Sequence, residues 1–257
     1  MMRVEIDGHA ASAGELRFPA LVNYGHFTSM QVRRGAVRGL GLHLRRLDAA
    51  TQELFGTGLD EDRVRRSIRH ALDERIADAT VRVTVFQADP GRVPSMLVSV
   101  REPVLAPDLP QRLEPVVYQR PVAHIKHTGT FGQIHYGLLA ERNGFDDALL
   151  TRDDGTVLET TIANVGCCQD QAIIWPDAPV LHGITMQLLE RSLPDAGLAS
   201  QRGTIRLPDL ASFRAVFLTN SLGISPVGQV GEHTLPADAT IMRTLVDSYH
   251  SIPWDPL

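Results

Sequence analysis

Residues 126–164 read KHTGTFGQIHYGLLAERNGFDDALLTRDDGTVLETTIAN, and this stretch decides the fold. It predicts a helix over Gly132–Arg142, which the Asn-Gly pair that follows would end. Asp147–Leu150 is predicted to be a strand, and Asp153–Gly155 is a typical hairpin turn. Thr156–Glu159 then returns as the second strand. A helix followed by paired strands indicates a mixed α/β (α+β) architecture.

The rest of the second half continues this alternation. Further strands are predicted at Leu113–Tyr118, around Val165, at Ile173–Ile174 and at Ala215–Leu218. Helices are predicted from Gly183 to about Ser192, because Pro194 disfavours helical geometry just beyond, and over Ala237–Tyr249.

The first half reads as a smaller α+β unit. Its predicted strands are Val4–Ile6, His26–Val32, Thr80–Phe86 and Met96–Val100. Its predicted helices run from Leu42 to the stop signal Gly56, and from Asp60 to about Ile76, with Glu74 and Arg75 on the solvated face. A proline-rich stretch over 103–112 is typical of a stiff linker. We therefore expect a small N-terminal α/β domain at residues 1–106 and a larger domain at residues 112–257.

Composition excludes several classes of function. The chain carries 25 Lys and Arg against 30 Asp and Glu, which argues against nucleic-acid binding through bulk charge. No run approaches the ~18 apolar residues of a membrane span, and the N-terminal residues lack the apolar core of a signal peptide. Adjacent Cys167 and Cys168 offer neither a disulfide framework nor a zinc spacing. We expect a cytoplasmic protein without a metal site.

Lys126 is the only lysine in the sequence, among 25 cationic Lys and Arg residues. Codon bias toward arginine explains the general depletion of lysine, but it does not explain why one lysine is kept. Arginine replaces lysine wherever only a positive charge is needed, but it cannot lose its proton to become a nucleophilic amine. The solitary lysine is therefore the place where amine chemistry is expected.

Three other polar features accompany Lys126. Glu159 ends an apolar strand, where a carboxylate is costly unless it is paired with a cation. Gly183–Thr185 opens a helix and Thr219–Ser221 follows a buried strand, and both suit a phosphate group. An amine, a carboxylate and an anion cradle are what the aldehyde, the ring nitrogen and the phosphate of pyridoxal 5'-phosphate (PLP) require.

Four segments resemble the class IV aminotransferases, the fold-type-IV PLP enzymes, in the expected order. They are the stretch 126–164 quoted above, WPDAPVLHGIT at 175–185, FLTNSLGISPV at 217–227, and upstream HLRRLDAATQELFG at 43–56, which matches the His-x-x-Arg-Leu helix of the family. The family includes branched-chain and D-amino-acid aminotransferases and aminodeoxychorismate lyase. The resemblance covers residues 20 to 230 approximately. It implies a small N-terminal α/β domain, a C-terminal pseudo-barrel that carries the PLP lysine, and a homodimer.

The resemblance implies a role for each matching residue. Lys126 matches the lysine that forms the internal aldimine and later moves the substrate proton. Glu159 matches the acidic residue bonded to the pyridine nitrogen, although it could instead pair with a protein arginine. Arg46 matches the phosphate-binding arginine. Asn164 matches a common asparagine of the family, interpreted as structural.

The remaining cofactor contacts would come from two turns. Ile184 and Thr185 match the phosphate cup at a helix N-terminus, and Asn220 and Ser221 match the second phosphate-binding turn.

The resemblance leaves the reaction open. An aminotransferase acting on a small amino acid and a 2-oxo acid is favoured, with Tyr24 and Phe27 lining the substrate pocket and Arg92 binding a carboxylate. The alternative is aminodeoxychorismate lyase, which releases pyruvate and 4-aminobenzoate. It is favoured by Asn220 and by the Lys126-His127 pair. A third alternative is a non-catalytic relative that binds PLP or another ligand.

Overall fold

The computed structural model describes residues 3–73, 76–107 and 109–257. Cα packing divides the chain into two units. The first comprises Met1–Val104, Ile125–Gly129 and Pro253–Leu257, and the second comprises Leu105–His124 and Thr130–Ile252. In this grouping the segment that carries Lys126 packs with the first unit, and so does Pro253–Leu257. The domain boundary near 103–112 stays a prediction.

The strands and helices have the following bounds. The strands are β1 Arg3–Ile6, β2 His9–Ala10, β3 Gly25–Arg33, β4 Ala36–Arg38, β5 Ala79–Phe86, β6 Ser95–Arg101, β7 Gln111–Val117, β8 Asp147–Thr151, β9 Val157–Thr160, β10 Asn164–Gln169, β11 Ala172–Pro176, β12 Ala199–Gly203, β13 Ala215–Asn220, β14 Gly223–Val230, β15 His233–Thr234 and β16 Trp254–Pro256. The α-helices are α1 Ala13–Leu21, α2 Leu40–Phe55, α3 Glu61–Leu72, α4 Phe131–Arg142, α5 Ile184–Ser192 and α6 Ala239–His250. Short 3-10 helices cover Leu193–Ala196 and Leu207–Ser212.

The first unit is an antiparallel sheet with two helices packed on one face. Within the described residues its strands follow the order β16-β4-β3-β5-β6-β1-β2. Side chains alternate along β5, so that Val81, Val83 and Val85 join α2 and α3 in the core. Arg82 and Thr84 consequently lie on the other face. Arg82, on this second face, is one of the candidate site residues.

The second unit is a closed ring of strands. In the described part of this unit the ring runs β10-β13-β14-β7-β8-β9 and closes where β9 pairs with β10. Strands β11 and β12 extend the sheet beyond β10. Closure leaves no free edge on these six strands, which is what a barrel achieves. The α/β fold with a pseudo-barrel, expected for fold-type-IV enzymes, is confirmed.

Most of the predicted elements are present, with bounds shifted by a few residues. The second helix is shorter than predicted: α3 ends at Leu72, where Asp73 takes a positive φ of 60°. Ile76 is therefore outside the helix, and the predicted helical positions Glu74 and Arg75 lie outside the described residues.

Some elements were not predicted. Helix α1 was missed because Pro19 lies inside it and none of its residues is buried, so it has no apolar periodicity.

Among the described helices, none is long and apolar enough to cross a membrane.

Candidate active site

The segment that carries Lys126 is held beside β3 by backbone hydrogen bonds. The Phe27 N–H donates to the Lys126 carbonyl over 2.8 Å, and the Thr128 N–H donates to the Gly25 carbonyl over 2.8 Å. The Thr128 hydroxyl also donates to the Asn23 carbonyl over 2.7 Å. A side chain at Gly25 would not fit, because its Cβ would lie 2.7 Å from the Val85 carbonyl oxygen. The backbone of Lys126 is thus fixed against this strand.

Two cationic side chains meet the ring of Phe27. The Nζ atom of Lys126 lies 5.0 Å from the ring centroid, and the Arg82 Cζ atom lies 3.5 Å from it. Phe27 itself is 8% exposed. A cation close to an aromatic face is favourable, and more so when it is shielded from water. The structure therefore brings Lys126 and predicted pocket residue Phe27 together, and adds Arg82.

Arg82 is a residue that sequence reasoning missed. It lies on β5, and burial, followed by the like charge of Arg101, lowers the pKa of its guanidinium. Within the described chain no carboxylate forms an ion pair with Arg82, although a desolvated cation is normally paired. The signal was present in the sequence TVRVTVF, where this arginine occupies the polar face of an alternating strand.

Arg92, predicted to bind a substrate carboxylate, lies in a different environment. Its side chain is 80% exposed and forms an ion pair of 3.5 Å with Asp89. Tyr24, predicted to line the pocket, is 54% exposed and its ring meets that of Phe55 edge to face at 6.0 Å. Both roles stay predictions, and neither residue is drawn into the cluster around Phe27 by any contact of the described side chains.

The His-x-x-Arg-Leu helix has a clear physical basis. His43 and Arg46 lie three residues apart on α2, so they share the helix face that meets β3. Arg46 donates a hydrogen bond to the Thr28 hydroxyl, and the same hydroxyl is 2.6 Å from His43 Nδ1. The Thr28 hydroxyl accepts from Arg46 and can still donate its one proton to His43 Nδ1. Burial, followed by the charge of Arg46, holds the pKa of His43 well below its ordinary value.

His26 is the second buried histidine near Arg46. Its Nε2 atom lies 3.0 Å from the Thr51 hydroxyl, which itself donates to the Leu47 carbonyl over 2.8 Å. His26 must therefore donate from Nε2. Burial, followed by the charge of Arg46, lowers the pKa of His26 to about 4. Both histidines are neutral at pH 7, and the charge of Arg46 helps to lower the pKa of each.

In the second unit, Glu159 is buried and paired with an arginine. One carboxylate oxygen accepts a hydrogen bond from Arg120 Nε over 3.1 Å, and the other accepts from the Leu181 N–H over 3.2 Å. Arg120 is 5% exposed. The sequence allows a protein arginine as the partner of Glu159, but it does not identify Arg120 as that arginine. The pairing compensates the charge of Glu159 in a buried place.

Asn164 links the Glu159 strand to the start of α5. It pairs with Glu159 on β9 and with Thr219 on β13. Its side-chain amide donates to the Leu181 carbonyl over 2.6 Å. A Cβ on Gly183 would lie 2.1 Å from the Asn164 side-chain oxygen, so only glycine fits at this helix N-cap. The interpretation of Asn164 as structural agrees with these contacts.

The two predicted phosphate turns are joined by a direct hydrogen bond. The Thr185 hydroxyl donates to the Asn220 carbonyl over 2.5 Å. The Asn220 side chain accepts from the Leu222 N–H over 2.8 Å, which fixes the turn that contains Ser221. Ile184 and Thr185 are the first two residues of α5, where backbone N–H groups have no carbonyl partner within the helix. Such a helix end attracts anions.

The chain matches known proteins in sequence and in fold. The family model for amino-transferase class IV matches residues 25–230. Two curated relatives, from Rickettsia felis and Synechocystis, are assigned as branched-chain-amino-acid aminotransferases. They are 31% identical over 83 residues and 30% identical over 109 residues. These matches cover 32% and 41% of this chain, and only 29% and 36% of the relatives' own length.

Solved structures share the fold over nearly the whole chain. A hypothetical aminotransferase from Mycobacterium tuberculosis in its PLP-bound form has a TM-score of 0.80 and 22% identity, with 90% of each chain covered. A structure from Legionella pneumophila assigned as a 4-amino-4-deoxychorismate lyase has a TM-score of 0.82 and 20% identity, covering 91% of this chain and 93% of that one. A branched-chain aminotransferase from Thermoproteus uzoniensis, solved with norvaline, has a TM-score of 0.84 and 18% identity, covering 97% and 93%. At these identities the likeness establishes the fold alone.

The buried, neutral state of His26 predicts a specific pH dependence of stability. Above pH 6.5 the imidazole is neutral in the folded and unfolded chains alike. Between about pH 6.5 and 4 the unfolded chain takes up a proton that the folded chain excludes. This histidine should therefore cost about 3 kcal/mol of unfolding free energy as the pH falls through that window. His26→Gln keeps the donor to Thr51 but does not titrate, so urea unfolding at several pH values should show a shallower loss.

The exposed His233 supplies the matched control, since His233→Gln should keep the slope of the natural protein. An unchanged slope in His26→Gln would show that His26 is not held neutral.

Proposed function

Because the chain belongs to the class IV aminotransferase family, we propose that it is a PLP-dependent aminotransferase. It would move an amino group between a small amino acid and a 2-oxo acid. One observation carries this proposal: the only lysine of the chain and the half-buried cation Arg82 meet at the same aromatic ring, Phe27. A reactive amine beside a carboxylate-binding group suits an amino acid substrate.

The residues present fit PLP in number and in chemistry. Lys126 supplies a primary amine for the aldehyde, and Glu159 supplies a carboxylate for the ring nitrogen. For the phosphate, Arg46 offers a guanidinium held in place by Thr28. Ile184 and Thr185 offer helix N-terminal N–H groups, and Asn220 and Ser221 offer the adjoining turn.

Each residue would have a distinct task in the reaction. When bound, PLP supplies an electron-withdrawing ring that stabilises the charge left when an amino acid loses its Cα proton. Lys126 Nζ would hold the cofactor at rest and accept that proton when the substrate has displaced it. Glu159, kept as an ion pair by Arg120, would hold the proton on the ring nitrogen. Arg46 and the start of α5 would bind the phosphate.

Arg82, in preference to Arg92, would bind the substrate carboxylate. Its guanidinium is partly shielded from water, stacks on Phe27 and has no carboxylate partner in the described residues. Arg92 is exposed and already faces Asp89. An anion gains far more from a desolvated guanidinium than from an exposed one.

The second candidate function is aminodeoxychorismate lyase. Asn220 is the residue that favours it, and a structure assigned to that activity has this fold. The lyase would use the same lysine and the same carboxylate. A non-catalytic relative is the third possibility, and Lys126 and Glu159 together argue against it.

The activity proposal predicts amino transfer that depends on Lys126. Purified protein with PLP should convert D- or L-amino acids in the presence of 2-oxoglutarate or pyruvate, as measured by formation of the new amino acid. Lys126→Arg keeps the positive charge but lacks a nucleophilic amine, and should lower kcat by at least about 10²–10⁴-fold, the usual worth of a general base. Formation of 4-aminobenzoate from aminodeoxychorismate without any amino transfer would instead support the lyase.

The carboxylate proposal separates two arginines. Arg82→Gln should raise the KM for the amino acid by about 10- to 100-fold, since a hydrogen-bonded charge pair is worth about 1.5–3 kcal/mol. Arg92→Gln, with its exposed side chain, should leave KM unchanged. The reverse pattern in steady-state kinetics would restore Arg92 as the carboxylate ligand.

We also propose that the protein is a homodimer, and an apolar stripe on α4 supports this. Phe131, Ile134 and Leu138 are 80%, 58% and 46% exposed and lie at helical spacing on one face. Ile162, two residues after the end of β9, is also exposed. A contiguous apolar face of this kind is typical of a protein interface.

Light scattering after size exclusion tests the dimer. The natural protein should have twice the 28.2 kDa chain mass, and Ile134→Asp should shift it toward the single-chain mass. Val93→Asp places the same charge at another exposed apolar residue and should stay dimeric. A monomeric natural protein would refute the proposal.

A further inference from the structure

The hydroxyl of Thr219 is buried and has no hydrogen-bond partner among the residues that the structure describes. The residue is 1% exposed, and its Oγ1 atom contacts no donor or acceptor. Other buried threonine hydroxyls of this protein are satisfied: Thr28, Thr51 and Thr185 all form the hydrogen bonds described above. A buried polar group left unpaired is unfavourable and requires an explanation, such as a ligand that is bound in the working protein.

The strand register places this hydroxyl in a row with Glu159. Asn164 is paired with Glu159 on one side and with Thr219 on the other. Side chains of directly paired residues in antiparallel strands point to the same face of the sheet. Glu159, Asn164 and Thr219 therefore form a polar row across β9, β10 and β13.

The same row runs beside the N-terminus of α5. Asn164 contacts the Leu181 carbonyl and abuts Gly183, the N-cap of the helix. On the other side, Asn220 follows Thr219 directly and accepts from Thr185 in the first turn of α5. Thr219 is thus enclosed by two residues that each contact the start of this helix. Its hydroxyl can therefore donate a hydrogen bond to a ligand that is bound at that helix end.

We propose that Thr219 is a ligand of the phosphate group bound at the N-terminus of α5, donating a hydrogen bond from Oγ1. The proposal rests on the proposed PLP-dependent function, because it assigns one more residue to the phosphate of that cofactor. Backbone N–H groups supply directed donors from the helix, and the threonine adds one from the sheet. A phosphate monoester has enough acceptor oxygens for both.

The test compares phosphate-bearing and phosphate-free probes. Apo protein is titrated with PLP, with pyridoxal and with inorganic phosphate, using absorbance for the first two and thermal shift for the third. Thr219→Val, which keeps the shape and removes the hydroxyl, should weaken PLP binding about tenfold or more, as expected for a hydrogen bond to a charged group. Pyridoxal, which lacks the phosphate, should bind as before. Thr219→Ser restores the hydroxyl and should bind PLP within about threefold of the natural protein, a difference under 1 kcal/mol.

The outcomes separate this proposal from the function on which it rests. Equal PLP affinity in Thr219→Val, or an equal loss of PLP and pyridoxal binding, would overturn the role of Thr219 while leaving the function intact. If the natural protein binds phosphate but neither PLP nor pyridoxal, the cofactor assignment fails. The phosphate titrations of Thr219→Val then still test whether Thr219 binds the phosphate. If it binds none of the three probes, both proposals fail. Should Thr219→Val not fold, Thr219→Ala takes its place in every titration, with the same expectations.

Discussion

The pairing between β3 and the segment Ile125–Gly129 is the constraint on which the first unit's chemistry depends. Two backbone hydrogen bonds hold the lysine segment to the strand, one on either side of His26. As a result Phe27, in the middle of that strand, is the surface that both Lys126 and Arg82 meet. The adjacent residue, Thr28, points to the opposite face of the sheet, where Arg46 of α2 donates to its hydroxyl. One strand therefore contacts Lys126 and Arg82 through Phe27, and Arg46 through Thr28.

The second unit buries a carboxylate and leaves the first backbone N–H groups of α5 without carbonyl partners in that helix. Closure of the ring between β9 and β10 brings Glu159 opposite Asn164, and β10 then brings Thr219 alongside. Arg120 compensates Glu159 so that the carboxylate can remain charged in a buried place. Asn164 secures the loop before α5, and Thr185 ties that helix to the turn at Asn220. A phosphate bound there, as we propose, would meet donors that are already ordered, which lowers the cost of binding.

Much of this could be predicted from the sequence, for reasons that particular residues make plain. The valine alternation of β5 and the stop signal at Gly56 are local, and local signals are readable. Lys126 stood out because no other lysine competes with it. Arg82 and Arg120 were missed because their meaning comes from tertiary neighbours, Phe27 and Glu159, that are distant in sequence. Thr219 lies in a segment that the sequence already favours for a phosphate, but its missing hydrogen-bond partner is visible only in the folded chain.

Reductive trapping measures whether Lys126 binds the cofactor covalently, as we propose. The protein is incubated with PLP, reduced with borohydride, digested and analysed by peptide mass spectrometry. We expect a single phosphopyridoxyl group on the peptide that contains Lys126, and no such modification in Lys126→Arg. A label at the chain's amino terminus only, or no label despite tight binding of PLP, would contradict it.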